Sequence, residues 1–140
     1  MPGRALVQTG RDWEGLRADF AWPRPARFNI ADAVCDVWAR ADPGRLALRY
    51  LRPDGEVRDW TYAQLARASA RFGEVLKAHG IGRGDRVAVL LPQTPEAVVT
   101  HLAAYRIGAV VLPLFTLFGE DALAFRLGDA GAKAVITDGA

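Results

Sequence analysis

The sequence predicts an α/β fold: a partial, doubly wound parallel sheet of order βαβαβ, preceded by a helix, a β-hairpin and a further helix. Three observations carry this reading. The run Val87-Ala88-Val89-Leu90-Leu91 is apolar without alternation, which is the pattern of a strand covered on both faces. Thr94-Pro95-Glu96 follows with the hydroxyl, proline and acid of a helix start, and Gly108 supplies the stop before a second apolar run over 109–114. The pattern then repeats, with a helical stretch over 119–130, Gly131, and the short apolar run Ala134-Val135-Ile136-Thr137. Strand, helix and strand within about 30 residues make a βαβ unit with a right-handed crossover. Three such strands joined by two helices are half of a doubly wound sheet.

The elements before the sheet follow from local signals. Residues 1–27 lack a sustained period and read as an N-terminal arm, with one short helix around Trp13 to Asp19. Trp13, Phe20 and Trp22 are too apolar for a free tail, so the arm is expected to dock on the body. Asn29 caps the next helix, with Asp32 answering its dipole and Ile30, Val34, Val37, Trp38 and Ala41 as its buried stripe. Asp42-Pro43-Gly44 ends it. Residues 46–51 and 56–60 read as two strands of a hairpin, joined by Arg52-Pro53-Asp54-Gly55, where proline presets φ and glycine is free to make it positive. Thr61-Tyr62-Ala63-Gln64 is a capping box that opens a helix running to about His79, with Leu65, Ala68, Phe72 and Leu76 inward and Gly80 as its stop. In the later helix over 119–130, Leu123 and Leu127 are expected to face the core.

Composition excludes several classes of function. A chain of 140 residues fits one domain or part of a larger one, and 51% hydrophobic with 24% charged residues is globular. The net charge of +2 is too small to argue for a nucleic-acid partner; the arginines are scattered among acids, as on a solvated face. The single Cys35 excludes an internal disulfide and fits a reducing compartment, and its helical setting beside Asp36 reads as a structural thiol. The first 20 residues have no apolar core of a signal peptide. The longest nearly apolar run, over 108–118, falls short of the roughly 18 residues of a membrane span. A cytoplasmic location without a membrane span is expected.

The search for chemistry is mostly negative. Gly80-Ile81-Gly82-Arg83-Gly84-Asp85 resembles a phosphate loop, but it precedes a strand instead of following one and carries Asp85 where the third glycine would stand. The turn that does follow a strand, Pro92-Gln93-Thr94, has no glycine to bring backbone close to phosphate, which disfavours a small nucleotide-binding domain. Ser69, the only serine, is mid-helix, and His79 and His101 fall into no metal spacing with Cys35 or paired acids. No catalytic residue and no metal ligand is assigned.

The order of motifs resembles one family. Trp60-Thr61-Tyr62 with Gln64-Leu65, the stretch 82–92 reading GRGDRVAVLLP, and Pro95-Glu96 look like the start of the adenylate-forming synthetases. Arg106-Ile107-Gly108-Ala109-Val110, Pro113-Leu114 and the stretch 129–137 reading DAGAKAVIT extend the match. Phe28-Asn29-Ile30-Ala31 and Phe118-Gly119 lean toward the acetyl-, propionyl- and medium-chain acyl-CoA synthetases. The resemblance implies that residues 28–140 are the first, incomplete part of a large N-terminal AMP-binding-type domain. It implies an AMP-forming acid–thiol ligase in which a carboxylate attacks the α-phosphate of ATP and the thiol of CoA then displaces AMP.

ATP, CoA and Mg²⁺ would serve the full-length enzyme, with a carboxylic acid as substrate. None is expected on this fragment, because the family's phosphate-binding, ribose-binding and catalytic-lysine segments have no counterpart within it. By the same resemblance Phe115, Thr116, Leu117, Phe118 and Gly119 lie toward the CoA channel. The competing expectation is a free-standing α/β interaction or regulatory module without catalysis. The coding DNA beyond Ala140 separates the two.

Overall fold

The computed structural model describes residues 12–22 and 24–139. The first helix, α1, spans Trp13–Asp19, capped by the Asp12 carboxylate, which accepts from the Gly15 amide. It buries nothing: Trp13 and Trp22 are about 70% exposed, and Phe20 packs only edge-on against Trp22. The expected docking of these aromatics is therefore not observed.

Asn29 opens the next helix as predicted, its Oδ1 accepting from the amides of Ala31 and Asp32. The helix contains a π-helical turn over Asp32–Asp36 and continues as α2, Val37–Ala41. Its buried face differs from the expected stripe. Ala31 and Cys35 are buried, Val37 and Trp38 are half-buried, and Ile30, Val34 and Ala41 face outward. Small side chains allow the close approach that this face makes to the next two helices, and the π turn carries Cys35 and Asp36 toward them. Cys35 donates weakly to the Tyr62 carbonyl, and burial, with Asp36 adding to it, pushes its thiol pKa up. That is a structural thiol.

Strands β1, Leu46–Leu51, and β2, Val57–Thr61, form an antiparallel hairpin whose turn closes with the Gly55 amide on the Arg52 carbonyl and φ +85° at Gly55. Both halves of the Thr61–Gln64 capping box are made, and α3 runs Tyr62–Ala78. Its inward face includes Leu65 and Leu76 as expected, and also Ser69 and Gly73, while Ala68 and Phe72 are half-buried.

The sheet is the predicted one. β3 is Arg86–Leu90, α4 Pro95–Arg106, β4 Val110–Pro113, α5 Glu120–Ala130 and β5 Ala134–Thr137, with parallel strand order β4-β3-β5. Val87 pairs with Val111 on one side and Ala134 on the other. Ala103 and Ala104 of α4, with Leu76 of α3, pack on the face that carries Val87. Arg86 alternates with Val87, so its side chain takes the opposite face, where it reaches the C-terminus of α5. The two crossover helices thus lie on opposite faces, as in a doubly wound sheet. They cover those faces unequally. α4 buries Thr100, Leu102, Ala103 and Ala104, whereas α5 has no fully buried residue and its Leu123 and Leu127 are only half-buried.

Candidate functional site

In open α/β sheets the ligand edge is at the carboxyl ends of the strands. Here that edge carries two features. The first is a groove of about 460 Å³ lined by Val89, Leu91, Gln93, Val98, His101 and Pro113. Burial lowers the pKa of His101, and its Nδ1 lies 3.3 Å from the Tyr105 hydroxyl. The second is the loop that leaves β4. Leu114 is buried and its amide donates to the Val89 carbonyl, which pins the start of the loop to the central strand.

The five residues singled out from the resemblance follow at once. Phe115, Thr116, Leu117 and Gly119 are exposed and Phe118 is half-buried. The Phe118 amide donates to the Phe115 carbonyl, closing a turn that sets the two rings edge to face. Arg126, two turns along α5, lays its guanidinium 4.1 Å from the centre of the Phe118 ring and anchors it by donating to the Ala122 carbonyl. Cation–π contact of this kind holds a guanidinium in place while leaving donors free. The loop thus sets two aromatic rings beside a fixed cation. The sequence reading did not pair Arg126 with the loop: Phe118 precedes α5 and lies eight residues away, so no i,i+4 spacing signals the contact.

The helix N-terminus itself is a poor phosphate site. Glu120 and Asp121 occupy its first turn, which favours the helix dipole and repels a second anion. The turn Pro92-Gln93-Thr94 serves no better, and Thr94 makes no side-chain capping bond despite its hydroxyl. Among the described residues no three His, Cys, Asp or Glu side chains gather as metal ligands. Neither the first turn of α5 nor the Pro92-Gln93-Thr94 turn therefore offers a phosphate cradle.

Half of a doubly wound sheet, with an open groove and an aromatic loop at its carboxyl edge, defines a parallel-sheet α/β segment. The profile of the AMP-binding enzyme family matches residues 35–140, and the chain belongs to that family. Acetyl-coenzyme A synthetase of Emericella nidulans is 38% identical over 141 residues, covering 96% of this chain and 21% of that protein. Acetyl-coenzyme A synthetase of Sodalis glossinidius is 52% identical over 117 residues, covering 83% of this chain and 18% of that protein. The crystal structure of Brucella canis acyl-CoA synthetase superposes with a TM-score of 0.75 at 44% identity, over 79% of this chain and 20% of that one. The chain thus spans about a fifth of the length of the relatives it matches. Among the described residues no helix is long and apolar enough to cross a membrane.

Proposed function

We propose that this chain supplies the opening part of an ATP-dependent, AMP-forming acyl-CoA synthetase. The observation that carries the reading is the family match across 35–140, joined to the 44% identity with a solved acyl-CoA synthetase over the same fold. In the reaction a carboxylate oxygen bonds the α-phosphorus of ATP as pyrophosphate leaves. The thiol of CoA then gives up its proton to solvent as its sulfur bonds the acyl carbon and AMP leaves. This chain's own part is scaffolding and one surface: β3 and β4 fix the loop Phe115, Thr116, Leu117, Phe118 and Gly119 toward the CoA side, with Phe115 and Phe118 offering ring faces and Arg126 a cation. ATP, Mg²⁺ and the carboxylate are held by residues outside these 140. A cytoplasmic setting fits the single buried Cys35.

The test is carboxylate-dependent exchange of pyrophosphate into ATP. The natural polypeptide that contains this segment is expected to exchange with a short or medium-chain acid and to form thioester with CoA. The 140-residue chain alone is expected to give no exchange above blank. Exchange by the purified 140-residue chain, or none by the longer polypeptide with any carboxylate, would overturn the reading in favour of a non-catalytic module or a different enzyme.

A further inference from the structure

Arg86 opens the central strand, and its side chain does not stay on the sheet. Its Nε donates to the Ala130 carbonyl at 2.8 Å and its Nη2 to the Gly131 carbonyl at 2.7 Å, with Nη1 3.4 Å from the Gly84 carbonyl. Ala130 and Gly131 are the end of α5, where backbone carbonyls lack helical partners and a cationic donor is favoured. Gly131 turns away there at φ +56°, and a Cβ at that position would sit 2.8 Å from Arg86 Nη2. The space for the clamp therefore depends on glycine.

This contact matters because α5 has so little else to hold it. No residue of the helix is fully buried, and Phe125 is 70% exposed. A helix of 11 residues is a rod about 16 Å long. Angular play at its C-terminus becomes displacement at its N-terminus, which the Phe115–Phe118 turn adjoins, and shifts Arg126, midway along the helix. We propose that Arg86 is a positioning residue for this loop: by fixing the far end of α5 it sets where the two rings and the Arg126 guanidinium meet CoA. The inference rests on the reading that the loop faces CoA.

The test uses the full-length polypeptide with Arg86→Met, Arg86→Lys and, separately, Arg126→Ala. Arg86→Met is expected to raise both the KM and the Kd for CoA about tenfold while pyrophosphate exchange stays within about twofold of the parent. Calorimetry gives the Kd, and backbone amide exchange over 119–123 is expected to quicken. Arg86→Lys, which keeps the charge on a single donor nitrogen, is expected to recover part of the loss. A raised CoA KM in Arg126→Ala with no change in Arg86→Met would overturn the inference and leave the loop reading standing. No change in either would remove the loop reading as well. Equal losses of exchange and of CoA use in Arg86→Met, unrelieved by lysine, would show a general role in folding instead.

Discussion

Gly108 follows α4 at φ +77°, and a Cβ built there would lie 3.2 Å from Cγ of Arg83. Both facts oppose a side chain: the left-handed backbone is strained for a branched residue, and Arg83 would have to move. Gly108→Val is therefore expected to cost more than about 1 kcal/mol and to reduce soluble expression. Urea unfolding compared with the parent checks this, and equal midpoints would show that the position tolerates β-branching. The glycine was legible in the sequence because it closes a helical period just before an apolar run. Its clash with Arg83 was not, since that contact joins two separate turns. Arg126 illustrates the same limit at the candidate loop. Helical spacing would hold it about 12 Å from Phe118, and only the fold shows the turn before α5 bringing the ring back to meet it.

At the scale of elements, the polar join between the π turn, α3 and α4 was invisible to pattern reading. Asn29 caps its own helix with Oδ1, and its Nδ2 donates to the Tyr105 and Arg106 carbonyls at the end of α4. Arg106 makes a two-pronged pair with Asp36, 2.7 Å from Nη2 to Oδ1, and also donates to Ser69. Donating to the Asp36 carboxylate holds the Arg106 pKa above its ordinary value. Sequence periodicity scores apolar positions, so it chose Ile30 and Val34 and passed over the face that Asp36 and Cys35 share. The pair is mostly buried, with side-chain exposures of 23% and 18%. Asp36→Asn leaves the guanidinium without its counter-charge and is expected to cost about 2 kcal/mol in chemical denaturation. The double variant Asp36→Leu with Arg106→Met removes both charges and is expected to lose less than the sum of the two single variants. Simple additivity would mean that the pair contributes no coupling.

At the scale of the whole molecule, the sheet was legible and its open edges have a physical consequence. β4 and β5 both lie at edges of the three-stranded sheet, each with an unpaired ladder of backbone groups. On the α5 side the cover is thin: Val110 is 51% exposed, Val135 42%, and Phe125 projects from the helix itself. The strands are apolar on both faces, a composition that suits a sheet shielded on both sides and extended past β5. The segment that leads into α2 adds Phe28, Ile30 and Val34, all exposed. Open edges beside apolar patches of several hundred Å² favour association between copies. The isolated 140-residue chain is therefore expected to self-associate, to bind hydrophobic dye and to melt without sharp cooperativity, as read by light scattering, dye fluorescence and thermal unfolding. Aspartate at Val135, on the exposed side of the β5 edge, is expected to reduce the association without abolishing the helical signal. A monodisperse monomer with little dye binding and a cooperative melt above about 65 °C, beyond the usual mesophile range, would show that these surfaces need no further cover, and would bring the free-standing module forward in place of the synthetase segment.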